Sequence, residues 1–254
     1  MTPFDLTDRV AIVTGGNGGI GLGMARGLAG AGVGVVVAGR DTAKNAAAVA
    51  ELEALGASAM AIEADVSRED SCRSLVQATV DRFRRLDILV NNAGINVRKQ
   101  PEEFTLAEWQ SVIETNLTSA FMCCQAAYPA LCAAGGGKIV NIGSMMSIFG
   151  SSFTAAYAAS KGGIVQFTKV LACAWAKDNI QVNAVLPGWI DTALTRRARR
   201  DIEGLHDRVV SRTPAGRWGE PDELAGIAVF LAAPASDFVT GTAIPVDGGF
   251  SAQA

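Results

Sequence analysis

The sequence predicts an α/β protein built as a doubly wound parallel sheet with helices on both faces, a Rossmann-like fold. Short runs rich in β-branched residues alternate with longer stretches of helical period. The short runs show no polar alternation, as is typical of strands that helices bury on both faces. Ligands of such sheets bind beyond the carboxyl ends of the strands. We therefore expect the functional residues just after the strands.

The individual elements follow from this alternation. In chain order they are strand 10–14, helix 20–31, strand 34–38, helix 42–55, strand 58–64, helix 68–83, strand 88–91, helix 106–133, strand 138–143, helix 154–177 and strand 181–186. Pro129 should kink or shorten helix 106–133, because proline lacks the N–H donor. No linker or repeat interrupts the pattern, so residues 1–254 are predicted to form a single domain. The polar, irregular stretch 189–213 is expected to be a mobile substrate lid.

The composition argues against several classes of function. A net charge of -3 and 6% aromatic residues offer little attraction for nucleic acid or anionic lipid and few surfaces for base stacking. No apolar run reaches the roughly 18 residues of a membrane span. We expect neither a nucleic-acid nor a membrane partner. The five cysteines and the single His206 lack metal-ligand spacing, which predicts no metal site and no disulfide framework, as suits a cytoplasmic protein.

A glycine-rich turn lies between the first strand and the first helix. It has the spacing TGxxxGxG and consists of Thr14, Gly15, Gly16, Asn17, Gly18, Gly19, Ile20 and Gly21. Glycines let a pyrophosphate approach the helix N terminus, where free N–H groups and the helix dipole favour an anion. A simple tight turn is the alternative in a chain with 28 glycines. The strand before the turn and the helix after it favour dinucleotide binding.

The end of the second strand predicts which dinucleotide is preferred. A carboxylate there would accept the ribose hydroxyls of NAD(H), whereas Gly39 followed by Arg40 leaves space and a cation for the 2′-phosphate of NADP(H). We therefore expect NADP(H) to be favoured, with NAD(H) as the alternative. Arg40 could instead be a surface charge, with Asp41 capping the next helix. Asp65 and Val66, after the third strand, are candidates to contact the adenine, and Asp65 could equally cap the helix that follows.

A tyrosine and a lysine stand at helical spacing in the second half of the chain. Tyr157 and Lys161 are four residues apart, so both project from one helix face. An unperturbed phenol, with a pKa of about 10, accepts protons poorly at neutral pH, and a neighbouring ammonium would lower that pKa. Ser144 follows strand 138–143 at the same sheet edge. A lone YxxxK pair usually lies on a solvated helix face. Here the pair follows the glycine loop, the NNAG sequence at 91–94 and Ser144, and this order of motifs indicates catalysis.

Taken together, these motifs resemble the short-chain dehydrogenase/reductase family over nearly the whole chain. The matching positions are residues 14–21, 91–94, Asn116, Ser144, Tyr157, Lys161, 187–188 and 246–249. The resemblance implies seven strands in the order 3-2-1-4-5-6-7, hydride transfer between a nicotinamide cofactor and a secondary alcohol or ketone, and a homotetramer packed through the two long helices.

The resemblance also implies residue roles. Tyr157 would transfer the proton, Lys161 would hold the nicotinamide ribose and lower the tyrosine pKa, Ser144 would orient the substrate oxygen, and Asn116 would support a water relay. Further cofactor contacts would come from Asn92, Ala93, Gly94, Pro187, Gly188, Ile190 and Thr192. Asn91 and Asn92 could also serve only to satisfy backbone groups at the strand end, and both interpretations can hold together.

The substrate is expected to be small and polar. Arg98, Met146 and Trp189 are candidate contacts beside Ser144 and Tyr157. Arginine binds a carboxylate through two hydrogen bonds, so Arg98, or the arginines at 196–200, could recognise an acidic sugar. A solvated basic helix face is the alternative for that arginine run.

Three segments, 91–98, 142–145 and 214–218, resemble the branch of the family that oxidises deoxyketogluconate, gluconate and related sugar acids. A stereoselective carbonyl reductase acting on other ketones and a 3-oxoacyl carrier-protein reductase stay open, although Lys138 and Lys177 offer little basic surface for an acidic carrier. Outside catalysis, an NADP(H)-binding sensor is the remaining alternative.

Overall fold

A computed structural model describes residues 2–253 and contains a seven-stranded parallel sheet. The strand order is β3-β2-β1-β4-β5-β6-β7, which confirms the predicted order. The strands are β1 Val10–Thr14, β2 Gly34–Gly39, β3 Ala59–Glu63, β4 Ile88–Asn91, β5 Gly137–Ile142, β6 Ile180–Pro187 and β7 Ala243–Val246. The order reverses between β1 and β4, which is where a doubly wound sheet opens its binding crevice.

Helices cover both faces of this sheet. They are α1 Gly19–Gly30, α2 Thr42–Ala54, α3 Glu69–Phe83, α4 Leu106–Ile113, α5 Ser119–Ala133, α6 Ala155–Trp175, α7 Ala193–Asp201, α8 Leu205–Arg212 and α9 Ala225–Ala232. Successive strand side chains point into opposite cores: Val35 and Val37 pack with α1, α2 and α9, whereas Val36 packs with α3, α5 and α6. The uninterrupted apolar runs in the sequence reflect this burial on both sides.

The predicted helix 106–133 is continuous, but its irregularity lies elsewhere than expected. A π-helical turn, Glu114–Thr118, joins α4 to α5, whereas Pro129 lies inside α5 without shortening it. Pro129 is exposed, and so is Gln125, whose carbonyl loses its helical partner and can bond to water. The helix is therefore not shortened at Pro129, and the alternative, a kink there, stays a prediction. The π turn carries Asn116, and such turns are frequent at functional sites.

The stretch 189–213, predicted to be irregular, contains α7 and α8. Thr192 caps α7 by accepting a hydrogen bond from the Thr195 N–H, and Ala198 is the buried residue of that helix. Four of the nine residues of α7 are arginine, and this polar composition is why the sequence predicts an irregular stretch there. Strand β7 contains Pro245 and lies at the sheet edge, where proline is tolerated.

None of the helices within residues 2–253 has the length and apolar character of a membrane span.

A buried carboxylate ties together the amino ends of β1 and β4. The Asp87 side chain is 3% exposed and accepts hydrogen bonds from Arg9 Nη1 at 2.7 Å, Arg85 Nη2 at 2.7 Å and the Val10 N–H at 3.0 Å. Burial alone would raise the pKa of Asp87, but these three donors together hold it below its ordinary value. The charged form of Asp87 therefore stabilises the fold.

We expect Asp87→Ala to lower the free energy of unfolding by about 3 kcal/mol at pH 7, because it leaves buried donors unpaired. A carboxyl whose pKa is lowered by folding stabilises above its unfolded pKa of about 3.9 and loses that contribution as pH falls through the folded pKa. The deficit, measured by urea denaturation, should thus shrink at acidic pH. Asp70→Ala, which removes an exposed pair with Arg68, is the control. Equal deficits in both variants would contradict this assignment.

Candidate active site

The N terminus of α1 is open to an anion. Gly18 is its N-cap, no side chain caps the helix, and its first turn contains no acidic residue. A Cβ added to Gly18 would meet no atom within 4 Å, and Gly15 and Gly19 adopt φ angles of 62° and 51° that favour glycine. The cradle therefore fits a pyrophosphate held by the helix N–H groups.

Two strand-end side chains hold the glycine loop in place. Thr14 Oγ1 accepts hydrogen bonds from the N–H groups of Asn92, at 3.0 Å, and Ala93, at 3.1 Å. Asn92 Nδ2 donates to the carbonyls of Thr14, at 2.9 Å, and Gly15, at 3.1 Å. Asn92 thus makes hydrogen bonds with backbone groups at the strand end, as one of the two interpretations of this residue predicts. Thr14 belongs to the glycine motif, but the sequence did not single it out as a site residue.

At the adenosine end, two alternative roles can be compared with the structure. Asp41 caps α2 by accepting a hydrogen bond from the Lys44 N–H at 3.0 Å, as the alternative interpretation of that position predicts. Asp65 does not cap α3, whose N-cap is Arg68. Its carboxylate instead accepts from the Ser67 hydroxyl at 2.7 Å, which lowers the pKa of Asp65, and Arg40 contributes to that lowering. Arg40 is exposed near Asp65.

The strand end at Gly39 differs from the open space that the sequence predicts. A Cβ at Gly39 would lie 2.6 Å from Asn17 Nδ2 and 2.8 Å from Asn45 Oδ1. These two amides fill the volume above the strand end because they bond to each other there. Val66, the other candidate at this end, is buried in the core beside α3.

The predicted catalytic residues come together at the carboxyl ends of β4 and β5. Lys161 Nζ donates to the carbonyl of Ile142 at 2.7 Å and lies 5.7 Å from the centre of the Tyr157 ring. A Cβ at Gly94 would lie 3.3 Å from Asn116 Oδ1 and 3.6 Å from Lys161 Nζ. The loop after β4, the π turn and α6 therefore meet around one point.

Burial controls the ionisation of this group. It raises the pKa of Tyr157, while the Ser144 hydroxyl and the Arg98 cation lower that pKa to a smaller extent. Burial also lowers the pKa of Lys161 to about 8. Lys161 bonds to the Ile142 carbonyl, and the groups that lower the tyrosine pKa are Ser144 and Arg98, so the lowering of that pKa by Lys161 stays a prediction.

Asn116 ties the loop after β4 to helix α6. Its Oδ1 accepts from the Ile95 N–H at 2.8 Å, and its Nδ2 donates to the Ile95 carbonyl at 2.9 Å and to Ser160 Oγ at 3.1 Å. Ser160 in turn donates to the carbonyl of Tyr157 at 2.7 Å. The sequence did not single out Ser160, whose signal is only its place beside Lys161 in the YxxxK motif.

Ser144 is held in a comparable way. Its Oγ accepts from the Met146 N–H at 3.2 Å, and its own N–H donates to Ser147 Oγ at 3.1 Å. Ser147 donates to the carbonyl of Lys161 at 2.7 Å, so it links the serine loop to α6. The sequence did not single out Ser147 either.

Arg98 lies beside the tyrosine without a partner. The side chain is half-buried and makes no hydrogen bond or ion pair within the described residues, 2–253. Burial lowers the pKa of Arg98, whereas Tyr157 and Asp201 raise it. The segment is fixed at its far end, because the Lys99 N–H donates to the Phe153 carbonyl at 3.2 Å. A desolvated cation next to the phenol is therefore placed to meet an anionic group.

An apolar wall faces this part of the site. Met146 and Trp189, both predicted contacts, pack in one cluster with Phe149 and Phe250. The Trp189 ring meets the Trp218 ring edge to face at 5.4 Å. Trp189 and Trp218 therefore extend the apolar wall toward the loop before α9.

Trp218 joins this wall to the stretch 189–213. Its Nε1 donates to Nδ1 of His206 at 3.1 Å, and the Arg199 guanidinium lies 4.4 Å from its ring centre. Trp218 therefore holds both α7 and α8. No sequence pattern indicates this contact beyond the rarity of tryptophan and histidine in the chain.

Three of the four arginines of α7 pair with two carboxylates of the described residues. Arg196 and Arg199 pair with Asp191, and Arg197 pairs with Asp201. This arrangement matches the solvated basic face that the sequence left open as the alternative to substrate recognition.

The loop after β6 lies against the glycine loop. Pro187 ends β6, the Gly188 N–H donates to the Val246 carbonyl at 3.0 Å, and Ile190 is buried. A Cβ at Gly19 would lie 3.2 Å from Thr192 Cγ2. The predicted nicotinamide-side residues thus border the same crevice as the glycine loop. No group of three His, Cys, Asp or Glu side chains between residues 2 and 253 is placed to hold a metal ion.

Comparison with known proteins identifies the family. The family described as enoyl-(acyl carrier protein) reductase matches residues 15–251. The chain belongs to the short-chain dehydrogenase/reductase family. It is 42% identical to 2-dehydro-3-deoxy-D-gluconate 5-dehydrogenase of Escherichia coli, over 100% of this chain and 99% of that protein. It is 40% identical to a 3-oxoacyl-[acyl-carrier-protein] reductase of Synechocystis, over 96% and 97%.

A solved structure gives the same result. The gluconate 5-dehydrogenase of Burkholderia cenocepacia, in complex with NADP and tartrate, superimposes with a TM-score of 0.94 at 40% identity, over 99% of this chain and 98% of that one. Family membership confirms the oxidoreductase class and the nicotinamide cofactor that the motifs predict.

Because Lys161 is buried, we expect Lys161→Met to raise the free energy of unfolding at pH 7. The gain should be smaller than about 3 kcal/mol, which is the displacement of the lysine pKa at roughly 1.4 kcal/mol per unit, because methionine cannot donate to the buried Ile142 carbonyl. A lysine whose pKa is lowered by folding destabilises fully below the folded pKa, and the penalty disappears as pH rises to the unfolded pKa of about 10.4. The gap between variant and wild type, measured by urea denaturation, should thus narrow above pH 8.

The control is Lys169→Met in the same helix, where the lysine is exposed. A pH-independent gap for Lys161→Met, or an equal gap for Lys169→Met, would show that burial does not govern the ionisation of Lys161.

Proposed function

We propose that this protein is an NADP(H)-dependent dehydrogenase that interconverts a secondary alcohol and a ketone on a small sugar acid. The observation that carries the proposal is the unpartnered, half-buried cation of Arg98 beside the Tyr157 hydroxyl. Such a cation suits a substrate carboxylate, since charge-assisted, bidentate hydrogen bonds are strong where water is excluded. The named activities of the Escherichia coli and Burkholderia cenocepacia relatives support an acidic sugar.

The crevice between β1 and β4 would hold the cofactor. NADP(H), when bound, supplies or accepts the hydride. The open N terminus of α1 would bind the pyrophosphate, and Arg40 would bind the 2′-phosphate. The residues proposed to line the cofactor are Gly15, Asn17, Gly18, Gly19, Ile20, Gly21, Arg40, Asp65, Val66, Asn92, Ala93, Gly94, Tyr157, Lys161, Pro187, Gly188, Ile190 and Thr192. The NADP bound to the Burkholderia relative supports this preference.

Tyr157 would hold and move the proton at its hydroxyl oxygen. Ser144, which already lowers the pKa of the phenol, would share the substrate oxygen with it. Lys161 would hold the nicotinamide ribose, and a pKa of about 8 lets it gain or lose a proton near neutral pH. Asn116 would keep the loop after β4 in register with α6 and support a water relay. Arg98, Met146 and Trp189 would contact the rest of the substrate.

Residues 1–254 would act as one domain, with the stretch 189–213 as a substrate lid. The Trp218 contacts with Arg199 and His206 support a lid that docks as a unit. We also propose a homotetramer packed through the long helices, which is supported by the exposed Phe121 on α5 and Val170 on α6. The five free cysteines favour a reducing, cytoplasmic location.

A 3-oxoacyl carrier-protein reductase is the second candidate, favoured by the similarity to the Synechocystis enzyme. An acidic carrier would need basic residues at the rim of the site. Lys138 is instead buried and paired with Asp237 at 2.7 Å, near the amino end of β5. Lys177 precedes β6 and so also lies at the amino edge of the sheet. The two lysines therefore provide no docking surface at the rim of the site, which favours a small substrate.

We expect Tyr157→Phe to lower turnover by about 10²–10⁴-fold, the usual contribution of acid–base catalysis, without loss of NADPH affinity. Turnover would be followed by NADPH absorbance on a panel of keto sugar acids and simple ketones. Tyr128→Phe is the matched control: it removes the other tyrosine hydroxyl, which bonds to Asp178 at 2.9 Å. Full turnover by Tyr157→Phe would remove this residue as the proton donor.

We expect Arg98→Gln to lower kcat/KM for keto sugar acids by about 10–100-fold, the value of a charged hydrogen bond of roughly 1.5–3 kcal/mol. Neutral ketones should lose much less, because they lack the carboxylate and respond only to the loss of the cation that lowers the pKa of Tyr157. Arg200→Gln, in the lid helix α7, serves as the control for a general loss of positive charge. Equal losses on acidic and neutral substrates would contradict carboxylate recognition by Arg98.

A further inference from the structure

A polar residue occupies the inner face of helix α2. The buried residues of this helix are Asn45, Ala48 and Leu52, spaced as an apolar stripe that faces the sheet. Asn45 is 1% exposed. A buried amide destabilises the fold unless its donors and acceptor are bonded, and an apolar side chain would meet the packing requirement without that condition. We therefore expect the amide of Asn45 to have a role in hydrogen bonding.

Asn45 connects the strand end to the glycine loop. Its Nδ2 donates to the Gly39 carbonyl at 2.7 Å, with the Ile62 carbonyl at 3.4 Å. Its Oδ1 accepts from Asn17 Nδ2 at 2.6 Å. Because Nδ2 must face a carbonyl, the amide has one orientation, and that orientation presents an acceptor to Asn17. The Asn17 amide is fixed in turn, with its second N–H unpartnered among the described residues.

The Asn17–Asn45 pair also closes the volume above Gly39. Any side chain at residue 39 would begin 2.6 Å from Asn17 Nδ2, so a carboxylate cannot reach the ribose from this position without displacing the pair. What the pair leaves at the strand end is the amide N–H of Asn17 and the cation of Arg40. Donors and a cation suit a phosphate, and residue 39 itself offers no carboxylate to a ribose diol.

We propose that Asn45 is a positioning residue that sets the selectivity for the 2′-phosphate through Asn17. Asn45 does not touch the cofactor; it orients the Asn17 amide and keeps Gly39 free of a side chain. The inference rests on the proposed function only in requiring that the crevice bind a nicotinamide dinucleotide. It adds a determinant of NADP(H) preference that lies in a helix core, outside the glycine loop and outside Arg40.

The test is a double-mutant cycle on binding. Kd values for NADPH and NADH are measured by nucleotide fluorescence for the wild type, Asn45→Leu, Asn17→Ala and the double variant. We expect each single variant to raise the NADPH Kd about tenfold, or roughly 1.4 kcal/mol. The NADH Kd should change less than about threefold. The double variant should be no weaker than either single one, because both remove the same contact.

Two further variants guard against a purely structural effect. Asn183→Leu removes another asparagine that is 1% exposed, in β6, and should lower the melting temperature without changing the ratio of the two Kd values. Gly39→Ala keeps both asparagines but displaces Asn17, so it should reproduce the loss of NADPH affinity. It also tests the proposal independently if Asn45→Leu fails to fold.

The outcomes separate clearly. Equal losses for NADPH and NADH, unchanged affinity in Asn17→Ala and Gly39→Ala, or additive effects in the cycle would each overturn the positioning role of Asn45. A wild-type protein that binds neither nucleotide would instead overturn the proposed function, since the ratio would then not exist.

Discussion

The hydrogen bonds between the ends of β1 and β4 are the constraint on which the rest of the site depends. Strand β1 pairs with β2 on one side and β4 on the other, so the connections leave in opposite directions and a crevice opens between them. The Thr14 hydroxyl and the Asn92 amide join the two strand ends across that crevice. They fix the glycine loop against the loop that leads to Arg98, and thereby relate the proposed phosphate site to the proposed substrate site.

The chemistry at the other side of the crevice is set by burial. Desolvation raises the pKa of Tyr157 from its ordinary value near 10 and lowers that of Lys161 to about 8, so the two pKa values move apart and burial favours the neutral form of each group. The cost of burying them falls on stability, and ion pairs such as that of Asp87 with Arg85 stabilise the opposite edge of the sheet.

Much of the fold could be predicted because its signals are local. Apolar runs such as 35–37 identify central strands, and the motifs at 14–21 and 157–161 follow strands in the expected order. The π turn at Asn116 could not be predicted, because helical period is continuous across it and the extra residue matters only against the Ile95 backbone. Pro129 is a local signal for a helix end, but it does not end α5. The carbonyl that loses its helical partner lies on an exposed face, where water can bond to it.

The parts of the site that could not be predicted share one property, which is that their partners are distant in sequence. Asn45 is indistinguishable from a solvated helix residue until the fold brings Gly39 and Asn17 to it. Trp218 meets His206 and Arg199 only when two separate segments pack. Arg98 was recognisable by charge, but its lack of a partner is a property of the folded chain.

Neutral amides position the backbone at three places around the crevice. Asn92, Asn116 and Asn45 each bond to main-chain groups of a neighbouring element. In Asn116 and Asn45 both the amide N–H and the amide oxygen take part in hydrogen bonds. An amide can orient a loop in this way without adding charge. A carboxylate in the same positions would repel a phosphate at one end and a phenolate at the other, and an ammonium would compete with Arg40 or Lys161. The use of asparagine at these three positions thus leaves the charge of the crevice to Arg40, Arg98 and Lys161.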